Sequence, residues 1–244
     1  MRLSDLYQRE YLEMLEHVAE TPSISPRLLT LFWPKIGAQY NNDLLVIGRA
    51  VNGWIDEWDL DSPTDLRVLV EAARATGEGR VNDDPLGWIL DRWKPGDGGY
   101  DTSRSQFWDT VRRIAIDADD ARGADWESRI AWTNLSKLAP AAGRNPASRL
   151  LALQRQIGPR LLRREVEELS PRKIVAFTGR SWFEPFASEL GLEVSWREGF
   201  VEGVADEGDR RWVIAVHPMT RSPSGVADAV LSALESRATD SPTR

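Results

Sequence analysis

The chain has 244 residues and a formal net charge of −7, and its 41% hydrophobic and 28% charged residues are typical of a globular protein with a substantial core. It contains no cysteine and two histidines, which excludes disulfides, thiolate catalysis and cysteine-bound iron–sulfur or zinc centres, so we expect no metal cluster. No apolar run approaches the ~18 residues of a membrane span. Residues 1–20 lack the apolar core of a secretion signal, so we expect a cytoplasmic protein that does not bind membranes.

Apolar periodicity predicts helices that alternate with strands along most of the chain. Helical spacing occupies residues 3–19, 66–75, 103–116, 146–169, 181–190 and 226–234. Buried-strand patterns occupy residues 43–48, 129–135, 173–179, 193–197 and 213–216. The Gly158-Pro159 step predicts a break or bend in the long fourth helix. Residues 76–102 are rich in Gly, Asp and Pro and are expected to form a long loop with one short helix near residues 85–93.

This alternation is typical of an α/β fold, a three-layer α/β/α sandwich with a mostly parallel central sheet. We predict a single domain over residues 1–235, in which residues 1–42 form an N-terminal helical lead-in. The polar tail at residues 236–244 is expected to be disordered.

The negative net charge counts against non-specific binding to nucleic acids, but the charge is unevenly distributed. Between residues 144 and 180, nine basic residues stand against three acidic ones. This stretch is compatible with a DNA-binding face. It is also typical of a solvated helix face, which is the more frequent case.

His217 follows the apolar pattern at residues 213–216, at the end of a predicted parallel strand. Ligand crevices of open α/β sheets lie beyond the carboxyl ends of such strands. A histidine in this position can exchange a proton near neutral pH. Alternatively, it can simply satisfy a backbone carbonyl.

Three predicted strand ends carry motifs in a fixed order. They read Ile-Gly-Arg-Ala-Val-Asn-Gly at 47–53, Thr-Asn-Leu-Ser-Lys at 133–137 and His-Pro-Met-Thr-Arg-Ser at 217–222. Pro140, an Asn-Pro step at 145–146 and the apolar segment 171–179 follow at matching spacing. Together they resemble the uracil-DNA glycosylase superfamily, most of all its Gly-x-Ala-Pro-Gly branches. The resemblance implies hydrolysis of the N-glycosidic bond of a flipped deaminated base, such as uracil, in single- or double-stranded DNA, with no cofactor and no metal.

The resemblance also implies roles for individual residues. Asn134 would read the base with its amide, although a strand-end asparagine can instead bond local backbone. His217 would stabilise negative charge on the departing base, and Gly48 and Gly53 would let the backbone approach the ligand. The other substrate-binding candidates are Arg49, Lys137 from the second motif, Trp54 for stacking on the base, and Arg221 and Ser222 in a loop that would press into DNA.

Arg49 departs from the family pattern, because the closest branches often have there a carboxylate that positions the attacking water. Arginine cannot act as a base. Asn52 and Asp56, with Glu57 beside them, are the candidate catalytic replacements. The alternative is a glycosylase-fold module that binds a nucleobase, nucleotide or nucleic acid without cleaving it, with Arg49 on a phosphate. A third alternative, a hydrolase or transferase for a small nucleoside-like molecule, fits the acidic charge better, because no polyanion has to bind.

Overall fold

The computed structural model describes residues 2–51, 57–79, 84–96, 100–118 and 125–236. The α-helices in these ranges are α1 (Asp5–Ala19), α2 (Leu66–Glu78), α3 (Trp88–Asp91), α4 (Gln106–Ala118), α5 (Ser148–Leu169), α6 (Arg180–Glu189) and α7 (Pro223–Glu235). The strands are β1 (Leu28–Leu31), β2 (Lys35–Ile36), β3 (Leu44–Gly48), β4 (Glu57–Asp59), β5 (Ile130–Asn134), β6 (Leu138–Pro140), β7 (Lys173–Ala176), β8 (Ser195–Trp196), β9 (Val201–Glu207) and β10 (Arg210–Ala215).

The main sheet has the strand order β2-β5-β3-β7-β10-β9-β8. Its four central strands, β5, β3, β7 and β10, are parallel to one another. Antiparallel strands extend both sides, β2 next to β5 and the pair β9 and β8 next to β10. The α/β class is therefore confirmed, and the parallel part of the sheet is its centre.

Strand β3 shows why the central strands are continuous apolar runs. Leu45 and Ile47 pack into a core shared with α1, α5 and α6, whereas Leu44 and Val46 pack into a second core shared with α4 and α7. Successive side chains of a strand point to opposite faces of the sheet, so both faces of β3 are buried. Helices thus cover the sheet on both sides, as layers above and below it.

A smaller antiparallel sheet, in the order β4-β1-β6, was not predicted. The proposed helical lead-in at residues 1–42 is correct for α1 but wrong for residues 28–36, which form β1 and β2. These short strands have no local pairing partner, because β1 pairs with residues 57–59 and 138–140 far along the chain. The local sequence pattern therefore does not indicate that these residues form strands.

The long helix α5 runs unbroken through Pro159, so the predicted break is wrong, while the alternative of a bend stays a prediction. Gly158 has a packing reason instead: a Cβ atom there would lie 3.1 Å from the ring of Phe186 on α6. The glycine lets α5 approach α6 closely. Among the described residues, no helix has the length and apolar character needed to cross a membrane, and the predicted tail beyond Ser236 lies outside those residues.

Candidate functional site

The carboxyl ends of the parallel strands meet at one edge of the main sheet. Gly48 ends β3, Asn134 ends β5 and His217 lies two residues beyond β10. All three line a cavity of about 690 Å³, which we name the main cavity. Its volume is that of a pocket for a small organic ligand. The strand-end motifs, far apart in sequence, thus come together in space as parallel topology requires.

The amide of Asn134 lies against Gly48. Asn134 is only 2% exposed, and a Cβ atom added to Gly48 would overlap the Asn134 Oδ1 atom. The Nδ2 atom is buried and has no hydrogen-bond partner among the described residues. An unsatisfied buried donor costs about 1–3 kcal/mol. A ligand acceptor such as a carbonyl oxygen would remove this cost.

The imidazole of His217 is neutral at physiological pH. Its Nδ1 atom accepts a 3.2 Å hydrogen bond from the backbone N–H of Met219, which assigns the neutral ring's proton to Nε2. Burial lowers the pKa of His217 to about 4, and the positive charge of Arg49 contributes to the shift. Phe107 stacks on the ring, with centroids 6.1 Å apart and planes inclined by 26°. The arrangement offers a positioned, uncharged N–H donor.

The side chain of Arg49 is held in place from one end. Its Nε atom donates a 2.8 Å hydrogen bond to the carbonyl oxygen of Thr178, and its guanidinium carbon lies 5.6 Å from the ring centroid of Trp182. Burial lowers the pKa of Arg49, and the negative charge of Glu202 partly offsets this. Arg49 and His217 also line a second cavity of about 660 Å³, which adjoins the first and which we name the side cavity.

Aromatic side chains form much of the main cavity wall, and the sequence did not predict this. The residues are Trp88, Tyr100, Phe107, Trp108 and Trp132. Trp108 makes edge-to-face contacts with Trp88 and Trp132, at centroid distances of 5.7 and 5.0 Å. Two of the five come from residues 76–102, to which no function was assigned. The sequence feature that could have indicated this wall is the presence of tryptophan and tyrosine in a stretch otherwise rich in Gly and Asp.

Arg144 and Asn145 also line the main cavity, and the sequence analysis did not single them out as site residues. They follow β6 in a turn where Gly143 and Arg144 both have positive φ, at 78° and 108°. Such a φ is uncommon for a residue with a side chain. The turn carries both side chains back towards the strand ends.

Neither a protein-family model nor a curated protein matches the chain. Assignment of the site therefore rests on its chemistry.

Lys137 was predicted to bind substrate, and the structure corrects this. The residue is 1% exposed and does not line either cavity. Its Nζ atom donates to Thr133 Oγ1 at 2.7 Å and to the carbonyl oxygen of Asn134 at 2.6 Å, and it pairs with Glu165 Oε1 at 2.7 Å. All three ammonium protons are engaged inside the protein, so Lys137 supports Asn134 from behind.

The remaining predicted residues fall into three groups. Arg221 lines the side cavity, whereas Ser222 lines neither cavity and caps α7 by accepting a hydrogen bond from the N–H of Gly225. Glu57 is exposed on β4, also away from both cavities. Four predicted residues lie outside the described part of the chain: Asn52, Gly53, Trp54 and Asp56.

Three arginines of the basic stretch at residues 144–180 pair α5 with neighbouring elements. Arg160 pairs with Glu13 of α1 at 2.6 Å, Arg164 approaches Glu10 at 3.6 Å, and Arg163 pairs with Glu207 of β9. These three arginines are therefore paired within the protein, and the DNA-binding face stays a prediction. Within the described ranges, no three histidine or carboxylate side chains are grouped to hold a metal ion.

Proposed function

We propose that the protein binds a nucleobase in the main cavity and hydrolyses its N-glycosidic bond, in the manner of the uracil-DNA glycosylase superfamily. The observation that carries this is the buried Asn134 Nδ2 atom, a donor without a described partner at the wall of an aromatic cavity. A flat base stacks on aromatic rings, and a base with a ring carbonyl accepts from an amide N–H. This favours oxo bases such as uracil or hypoxanthine.

His217 would act on the departing base. Breaking the N-glycosidic bond leaves the bonding electrons on the base, where negative charge develops on a ring carbonyl oxygen. A neutral, oriented Nε2–H can donate to that oxygen without giving up a full charge, and one such donor contributes about 2.7–4 kcal/mol to a transition state. The lowered pKa of His217 keeps the imidazole in this neutral form.

The attacking water needs a partner that Arg49 cannot provide. By sequence position, Asn52 and Asp56 remain the candidates to orient it.

A second candidate function is base binding without cleavage. No carboxylate lines the main cavity in the described part of the chain. DNA or a free nucleobase-containing molecule would then be the bound partner, and no bond would be broken.

Single-turnover excision separates the two. Protein in excess is mixed with labelled single- and double-stranded oligonucleotides that carry uracil, hypoxanthine or xanthine, and both cleavage and binding are followed. We expect Asn134→Ala and His217→Ala to lower excision by about 10²–10³-fold, while His17→Ala, at the only other histidine, leaves it unchanged. Binding that depends on Asn134 without excision establishes the second function. The absence of both overturns both.

A further inference from the structure

The main cavity and the side cavity share a wall made by Arg49, His217 and Met219. Arg49 is the one charged residue of that wall. It stands where the family pattern has a carboxylate, so its function is not given by the resemblance.

Arg49 has hydrogen-bond donors that no described residue uses. Its Nε atom is engaged by Thr178, but its two terminal amino groups make no hydrogen bond or ion pair with any described residue. Other half-buried arginines are paired: Arg163 with Glu207, and Arg74 with Glu71 and Glu78. The terminal amino groups of a half-buried guanidinium that lack a protein partner can bind an anion together, in a fork.

Apart from Arg49, the charged residues of the side cavity balance one another, so its net positive charge is that of one arginine. Arg180 and Arg221 line it, against Glu184 and Glu202. The backbone N–H of Arg180, at the start of α6, already donates to Glu202 at 2.5 Å. Arg180 is itself paired with Glu184 at 2.9 Å. Anion binding here therefore falls to the side chains of Arg49 and Arg221.

We infer that the side cavity binds a phosphate group of the ligand whose base occupies the main cavity, with Arg49 as the phosphate-binding residue. The inference rests on the proposed base binding. It adds to that proposal the class of ligand, which is a nucleotide in place of a free base or nucleoside. The phosphate is either the terminal monoester of a mononucleotide or a phosphodiester of a strand.

The carboxylate of Glu202 opposes this binding. Its charge acts on Arg49, and its Oε2 atom would lie 3.2 Å from a Cβ atom on Gly179, at the edge of the side cavity. Glutamine at this position can still accept the Arg180 N–H but carries no charge. Glu202→Gln and Arg49→Gln should therefore have opposite effects on phosphate binding.

The test is a comparison of affinities by tryptophan-fluorescence titration. The probes are deoxyuridine and deoxyinosine, each with no phosphate, a 5′-phosphate or a 3′-phosphate, and a uracil trinucleotide with phosphate or uncharged methylphosphonate links. In the wild type we expect one phosphate position to improve affinity at least about tenfold, as for a charged hydrogen bond. Arg49→Gln should abolish this gain and Glu202→Gln should increase it. Arg9→Gln, which removes an exposed charge on α1, should leave it unchanged.

The outcomes are distinguishable. A gain with mononucleotides identifies a terminal phosphate, and a gain only with the charged trinucleotide identifies a strand phosphate. Equal affinity for nucleosides and nucleotides, or a phosphate gain that survives Arg49→Gln in folded protein, overturns this inference and leaves base binding intact. No binding of any probe overturns both, and unfolding midpoints of each variant exclude misfolding as the cause.

Discussion

The Nζ atom of Lys137 donates a 2.6 Å hydrogen bond to the backbone carbonyl oxygen of Asn134, three residues earlier in the chain. The same ammonium group pairs with Glu165 on α5, whose Oε1 atom also accepts a 2.6 Å hydrogen bond from the hydroxyl of Tyr7. The turn that follows Asn134 is therefore linked by hydrogen bonds and an ion pair to α5 and α1, which pack on one face of the sheet. A buried ion pair thus holds in place a residue that lines the main cavity.

Removing Lys137 should destabilise the protein strongly. Lys137→Met keeps the length of the side chain but leaves Glu165 buried without its counter-charge, and breaking such a pair costs about 3–5 kcal/mol. Urea denaturation measures the loss in the free energy of unfolding. Adding Glu165→Gln, which still accepts from Tyr7, should restore much of it. A loss below about 1 kcal/mol for Lys137→Met would show that the pair is unimportant.

Gly48→Ala should impair the site more than the fold. The new Cβ atom overlaps Asn134 Oδ1, so the amide must move, and a misplacement of about 1 Å can cost about 100-fold in activity. Base affinity and excision are measured together with the unfolding midpoint. Leu45→Ala, on the same strand but on the opposite face of the sheet, in the core with α1, α5 and α6, should lower stability without changing base affinity. Normal affinity in Gly48→Ala would place the bound base away from Asn134.

Acidification should destabilise the protein through His217. Its folded-state pKa of about 4 lies below the ~6.5 of an unperturbed histidine, so between these values the unfolded chain binds the proton and the folded chain does not. The free energy of unfolding contributed by this group therefore falls as pH drops from ~6.5 to ~4, and is unaffected above that window.

Comparison of denaturation at about pH 7 and about pH 5 should show this loss in the wild type and a smaller one in His217→Gln. The C2 proton of His217, assigned by its absence in that variant, should titrate by NMR with a midpoint near 4. A midpoint near ~6.5 would mean that the imidazole is not desolvated.

Tyr100→Ala should weaken ligand binding without weakening the fold. The side chain lines the main cavity and is 59% exposed, so little packing is lost when it is removed. If it stacks on the base, its loss costs about 1–3 kcal/mol of binding free energy. Fluorescence titration of the base-containing ligand measures the effect. Val68→Ala, at an equally exposed position on α2, is the control and should bind normally.

Prediction from sequence succeeded where the pattern is local. The runs that form β3, β5 and β10 are apolar on both faces and end abruptly in polar residues, so the sequence predicts both the strands and where they end. Prediction failed for β1 and for Lys137. The strands that pair with β1 are remote in sequence. Lysine is normally exposed, but Lys137 is buried against the carboxylate of Glu165 on another element.

By itself, the sequence determined the parallel centre of the sheet and the placing of Gly48, Asn134 and His217 at strand ends, because alternation and strand termination are properties of short segments. Only the tertiary structure decided which side chains line the main cavity and which support those that do. Lys137 turned inward, arginines of α5 paired with glutamates of α1 and β9 that are remote in sequence, and an aromatic wall was assembled from α3, α4 and β5. Those outcomes depend on packing between elements that the chain brings together only after folding.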